Sequence, residues 1–372
     1  MGGGAGSSRP WPLPPQTSHT MAKILYGVHG TAHGHAIRAL SIARRFPEHE
    51  FLFVSHEAGP AILQGEYLVE DIPSLGTVFT KHRVDTFATL KMNFPVLWER
   101  KAIMRRVLDL LQDFQPDAVI SDYEFFLPRA CRKVGVPCLS IDHQHVITAS
   151  DHPLPWGEYP SYLATSLAVR LLFSRATDYL VISFYQPPVK EGLRAKILPP
   201  LLRDTVLARE PQEGDHVLVY QSYITDFRKF QAFVEAVKRP VIVYGVPKEG
   251  REGNILYKPK SEEGFLDDLA SCAYVVCGGG HSMISEALYY DKPVISFPIK
   301  GAFEQFLNAF YIERLGYGRG ITDVPYLDPE MIPEFESRLE EYRQRIRSTN
   351  FCGNEEIFRQ VEFFVRHQRL DC

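Results

Sequence analysis

The chain has 372 residues, enough for two domains of ordinary size, and 45% of them are hydrophobic, which supplies a core and excludes wholesale disorder. Its net charge of -4 shows no basic excess of the kind a nucleic-acid backbone selects, so no nucleic-acid partner is expected. Residues 1–20 are rich in Gly, Ser and Pro and lack the basic start and apolar centre of a signal peptide, so they read as a disordered leader, with Met21 directly before the first strand-like run.

From residue 23 short apolar runs alternate with amphipathic segments. Strands are predicted at 23–28, 50–55, 118–121, 138–142 and 179–183, and helices at 36–46, 96–114, 126–134 and 161–175. The stretch from 198 to 214, rich in Pro and charge, breaks the pattern. Alternation resumes with strands at 217–220, 240–245, 254–257, 273–277 and 294–298, and helices at 227–237, 264–271, 282–290 and 303–314; charged helices are predicted at 329–347 and 355–369. The fold class is therefore α/β, with two doubly wound units of parallel sheet whose ligand site lies in the cleft between them. The divisions are 21–198 for the first unit, 199–214 for a linker, 215–345 for the second, and 346–372 for a C-terminal helix free to pack back on the first. The six cysteines form no Cys-x-x-Cys pair, which fits small buried hydrophobes in a reducing, cytoplasmic setting. No apolar run is long enough to span a bilayer.

The strongest chemical signal is Cys277-Gly-Gly-Gly-His-Ser282. A buried strand, a glycine turn and a helix N-terminus form an anion cradle, because glycines admit close backbone approach and the helix start offers free N–H groups and a positive dipole end. Gly278, Gly279, Gly280 and Ser282 are thus assigned to a diphosphate. His281 donates to a phosphate or lies in a solvated loop. Glu286, one turn after Ser282, shares its helix face.

With these residues in view, the chain resembles GT-B nucleotide-sugar glycosyltransferases, and among them the branch of MurG-like and UDP-glucuronosyltransferase-like enzymes. Two regions carry the likeness: Gly30-Thr-Ala-His-Gly-His35-Ala-Ile-Arg38, and the run with Gly278–Ser282, Glu286, Pro298, Glu304-Gln305, Asn308 and Gly316. Ala32 departs from the family's middle glycine. The resemblance implies a UDP-sugar donor on the second unit, with Glu286 on the ribose hydroxyls, and Glu304 and Gln305 on the donor sugar. Ser222, at the end of the strand 217–220, touches phosphate or caps the strand. The acceptor, a carbohydrate, a lipid or a small molecule, is expected on the first unit.

Transfer to a hydroxyl needs a base, and histidine titrates near working pH. His35, where the family places its base, is the candidate; Asp122 at a strand end orients it or is a simple cap. His33 is the rival base, His29 is structural, and Arg38 holds phosphate or acceptor or lies on the helix surface. His143 and His145 line the acceptor side or sit in a solvated loop. Together with His152 and the first-loop histidines they suggest a metal hydrolase, a reading the glycine-rich signal outweighs. No metal and no separate cofactor are expected. The activity is read as inverting sugar transfer, the alternatives being a sugar-nucleotide 2-epimerase or a non-catalytic sugar-nucleotide binding protein. Trp98 with Arg100, Lys101, Arg105 and Arg106 makes a basic, partly apolar surface suited to peripheral membrane contact or to solvent.

Overall fold

A computed structural model describes residues 21–31, 33–80, 83–220, 227–321 and 329–371. The first half runs β1 (Lys23–Val28), α1 (His33–Arg45), β2 (Glu50–Ser55), α2 (Gly59–Leu63), β3 (Leu68–Asp71), β4 (Phe79–Thr80), β5 (Arg83–Val84), α3 (Thr86–Trp98) and α4 (Arg100–Phe114). It continues with β6 (Ala118–Asp122), α5 (Leu127–Val134), β7 (Cys138–Asp142), α6 (Val146–Ala149), α7 (Tyr159–Leu172), β8 (Asp178–Ile182) and β9 (Ala195–Leu198). After α8 (Asp204–Leu207), the second half runs β10 (Val217–Tyr220), α9 (Phe227–Ala236), β11 (Val241–Tyr244), β12 (Gly250–Glu252), β13 (Ile255–Tyr257), α10 (Glu262–Ser271), β14 (Tyr274–Cys277) and α11 (His281–Tyr289). It ends with β15 (Val294–Ser296), α12 (Phe303–Leu315), β16 (Gly318–Gly320), α13 (Met331–Ser337), α14 (Leu339–Arg347) and α15 (Asn354–His367).

The strands form two seven-stranded sheets, ordered β3-β2-β1-β6-β7-β8-β9 and β12-β13-β11-β10-β14-β15-β16, plus the β4–β5 hairpin. Neighbours in the large sheets are parallel except β12 and β13. β6, β7 and β8 are buried along their whole length, because helices cover both faces of a parallel sheet. One face of the first sheet packs on α1 and on Ile357, Val361 and Phe364 of α15, so the C-terminal helix returns to the first sheet. The other face packs on α4 and α5.

The observed elements refine the expected ones. α1 begins at His33 rather than 36, since the first turn of a helix has no intrahelical N–H partners and leaves no periodic signature. The single helix expected over 96–114 is two helices meeting at Glu99. The short strands β3, β9, β12 and β16 lie at or beside sheet edges, where three or four residues give no readable pattern. The expected leader and Ser222 lie outside the described residues.

Candidate active site

Each sheet reverses its strand order beside its central strand, between β1 and β6 in the first and between β10 and β14 in the second. Crevices at the carboxyl ends of such strand pairs are where doubly wound sheets bind ligands. Val28 pairs with Asp122 at the first of these places, and Tyr220 with Cys277 at the second. α1 starts just beyond the first and α11 just beyond the second. The two meet: a Cβ added to Gly34 in the first turn of α1 would lie 3.2 Å from Ser282 Oγ in the first turn of α11.

At the first crevice Asp122 is wholly buried, and its Oδ1 lies 2.6 Å from His35 Nδ1. Arg38 donates to the same carboxylate twice, Nε to Oδ2 at 2.7 Å and Nη2 to Oδ1 at 2.6 Å. The approach of Nδ1 to a carboxylate oxygen assigns it as the donor, Nδ1–H to Asp122. Burial alone would lower the Arg38 pKa, but the charge and hydrogen bonds of Asp122 raise it well above its ordinary value. Arg38, expected on phosphate, on acceptor or on the surface, is instead the counter-ion of Asp122. The Tyr123 ring lies 6.3 Å from the His35 ring and nearly parallel to it, and Phe173 stacks on Tyr123 at 3.9 Å. Tyr123 has a φ of 54°, a left-handed conformation that bulky residues adopt only under tertiary constraint. His33 is exposed on the same turn of α1. His29 is buried against His35 and His56, its Nδ1 has no hydrogen-bond partner, and burial holds its pKa well below the usual value.

At the second crevice the glycine turn leads into α11 with Gly280 as N-cap. Gly279 packs so tightly on α12 that an added Cβ would fall 2.5 Å from Gln305 Cβ. Gln305 Oε1 accepts from Ile299 N at 2.9 Å. Asn308, one turn later, donates from Nδ2 to the Gly279 carbonyl at 2.9 Å, while its Oδ1 accepts from His143 Nε2 at 2.8 Å and from the Tyr185 hydroxyl at 3.2 Å. The first unit therefore braces the glycine turn through one buried amide. Glu304 is half-buried, and its charge acts on Tyr123, His143 and Tyr185. Sequence reasoning placed Asn308 in a motif without a role; only the packing of α12 on the turn supplies one.

His281 does not lie in a solvated loop. It is buried, and its ring stacks on His143 at 3.8 Å across the seam between the units. Burial, then His143 and Arg38, hold its pKa well below the ordinary value. Glu286 is also buried, and Arg203, just before α8, grips it with Nε at 2.9 Å from Oε1 and Nη2 at 3.1 Å from Oε2. Burial raises the Glu286 pKa, against the pull of Arg203.

His143, His145 and His152 are committed within the fold. His143 Nδ1 lies 2.9 Å from the Ile182 carbonyl. His145 Nδ1–H donates to Asp142 at 2.7 Å, and its Nε2 lies 3.1 Å from Ser174 Oγ. His152 sits between Tyr311 Oη at 3.1 Å and the Val146 carbonyl at 3.0 Å. His143 and His145 are thus core residues, not lining or solvated ones. Asp142–His145 copies the chemistry of Asp122–His35, but both of its ring nitrogens have protein partners. Among the described residues no group of three His, Cys, Asp or Glu is placed to hold a metal ion.

The sequence model of glycosyl transferase family 1 matches residues 22–340. A Methanosarcina mazei protein named an uncharacterized glycosyltransferase is 25% identical over 372 residues, covering 90% of this chain and 94% of its own. The crystal structure of the kitacinnamycin glycotransferase matches with a TM-score of 0.67 at 16% identity, covering 93% of this chain and 99% of that one. Phytolacca americana UGT2, solved with UDP-2fluoro-glucose and pterostilbene, matches with a TM-score of 0.63 at 13% identity, covering 93% and 99%. These likenesses show the GT-B fold.

Proposed function

The chain belongs to glycosyl transferase family 1, and on that premise we propose that this glycosyltransferase moves a sugar from a UDP-sugar to an acceptor hydroxyl, with inversion and without a metal ion or separate cofactor. The observation that carries the proposal is the juxtaposition of the His35–Asp122 pair with the glycine turn, one crevice facing the other across Gly34 and Ser282.

The acceptor O–H donates its proton to His35 Nε2 as the oxygen attacks the anomeric carbon. Asp122 fixes the ring through Nδ1 and stabilises the imidazolium, and Arg38 holds the Asp122 carboxylate in place through two hydrogen bonds. The bond from the anomeric carbon to the diphosphate oxygen breaks, and the electron pair leaves with the nucleotide. The N–H groups of residues 278–282 and the N-terminus of α11 receive that charge. Glu286 takes the ribose hydroxyls by exchanging Arg203 for them, and Gln305 and Glu304 face the donor sugar. His33, exposed beside the site, assists the acceptor rather than serving as base. The UDP-2fluoro-glucose held by the plant relative of the same fold supports a UDP donor here.

The test is incubation with a panel of nucleotide sugars, with and without carbohydrate, lipid and small-molecule acceptors, followed by product mass. Transfer that requires an acceptor supports the proposal. Isomerised sugar without acceptor would establish the 2-epimerase. Tight UDP binding with no product from any pairing would establish a sugar-nucleotide binding protein.

A further inference from the structure

A tyrosine hydroxyl set in a core normally finds a partner, because a phenol O–H sealed in without one loses its hydration for nothing. Most inner tyrosines of this chain follow that rule. Tyr185 donates to Asn308, Tyr244 to Asp268, Tyr274 to Glu336, and Tyr179 and Tyr290 to the carbonyls of Ala176 and Val206. Tyr123 departs from it. Among the described residues no group takes its hydroxyl, and that hydroxyl is not sealed away as the unpartnered Tyr26 hydroxyl is. The residue is half-buried, so the oxygen opens on the first crevice.

The neighbours of Tyr123 force it into its left-handed backbone. On one side the Asp122 carbonyl accepts from His29 N at 2.9 Å, and the Asp122 carboxylate holds His35 and Arg38. On the other, Glu124 accepts from Phe126 N, Leu127 N and Ser74 Oγ at 3.0, 2.6 and 2.8 Å. Phe173 stacks on the ring at 3.9 Å, and Arg129 ties down the end of α7 before Phe173 by donating to the carbonyls of Leu171, Leu172 and Phe125. Strain enforced by fixed neighbours clusters at functional sites. This one sits where an acceptor must lie. The ring is 6.3 Å from His35 and nearly parallel to it, and Glu304, at the start of α12 in the second unit, acts on it from the donor side. Burial, then Asp142 and Glu304, raise the Tyr123 pKa well above its ordinary value, so the phenol stays protonated and donates.

The attacking hydroxyl gives its proton to His35 and a lone pair to the anomeric carbon, and a donor placed on that same oxygen would weaken it as a nucleophile. The Tyr123 O–H therefore needs another acceptor oxygen, and the nearest is on the adjacent carbon. We propose that Tyr123 is an acceptor-binding residue that donates to a second hydroxyl beside the attacking one, so that the protein selects vicinal diols. Two held oxygens also fix which hydroxyl faces the anomeric carbon. This contact rests on the transferase reading above, and the test separates the two.

The test uses UDP-glucose, or whichever nucleotide sugar of the panel above turns over, with trans-1,2-cyclohexanediol against cyclohexanol and catechol against phenol, on wild type and Tyr123→Phe. Phenylalanine keeps the ring and its stack on Phe173 and removes only an oxygen that no described protein group uses. Wild type should favour each diol over its mono-ol by about tenfold or more in kcat/KM. In Tyr123→Phe that preference should fall about tenfold, chiefly through the acceptor KM, with the donor KM and the Tm unchanged. An active wild type without a diol preference, or a Tyr123→Phe protein that keeps one, would overturn the contact alone. So would a Tyr123→Phe protein whose Tm falls with its rate, because the hydroxyl would then serve the fold. Wild type that transfers sugar to no acceptor in this set or the wider panel would overturn the transferase reading and this contact together.

Discussion

Replacing Asp122 by Asn keeps its shape and removes its charge. The wild-type carboxylate is fully buried and accepts from His35 and twice from Arg38. An amide has one acceptor oxygen, so its NH2 must face a donor, and the Arg38 side chain, 10% exposed, loses its counter-ion. Breaking a buried pair in this way costs about 3–5 kcal/mol. At an unfolding entropy of about 2.1 cal/mol/K per residue, a chain of this length melting as one body loses about 4–6 °C of Tm. His35→Ala leaves the Arg38–Asp122 pair intact and should cost about 1–3 kcal/mol, yet it should lower sugar transfer about 10²–10⁴-fold. Scanning calorimetry, initial rates of transfer and UDP titration separate the two variants. An Asp122→Asn protein that melts within about 1 °C of wild type would refute the buried ion pair. Transfer by the His35→Ala protein at the wild-type rate would refute the assigned base.

Three further substitutions probe the glycine turn and the acid limb of stability. Gly279→Ala drives a methyl into Gln305 and should destabilise by about 1–3 kcal/mol, whereas Gly280→Ala meets nothing within 4 Å. Both should weaken UDP binding, but only the first should lower Tm; undiminished affinity in Gly280→Ala would show that the diphosphate does not approach that backbone. His29 has a folded-state pKa well below its unfolded value of about 6.5, so between the two values the unfolded chain binds the extra proton. Its contribution is full above about pH 6.5 and is lost by about 1.4 kcal/mol per pH unit as pH falls toward the folded value. His29→Phe keeps the ring packing and should flatten the fall in Tm between about pH 7.5 and 5.5; an unchanged slope would assign the acid sensitivity elsewhere.

The alternation of strands and helices was legible because strands covered on both faces are near-continuous apolar runs, as in Ala118–Ile120 and Tyr274–Cys277. The meeting of His35 with Asp122 was legible for the same reason, since both follow central strands of one sheet and topology brings such ends together. What stayed hidden depends on contacts between distant segments. Arg38 reads as a phosphate or acceptor ligand or a surface cation until Asp122 is set beside it. Arg203 lies in a stretch that reads as linker, 83 residues from the Glu286 it grips. His281 belongs to a motif that suggests an open loop, but the neighbouring unit covers it.

The seam between the units has a consequence for the catalytic cycle. Tyr185 stacks on Tyr311 at 3.9 Å, His143 on His281, and Phe184 lies parallel to His281, all across the join, and most of these side chains belong to one continuous apolar cluster. Wetting even two large buried aromatics costs about 3–6 kcal/mol. Prying the halves apart on every turnover would add that burden to every cycle. A catalytic cycle that leaves this spine shut avoids that cost, so the aromatic join acts as a fixed hub on which both crevices are mounted.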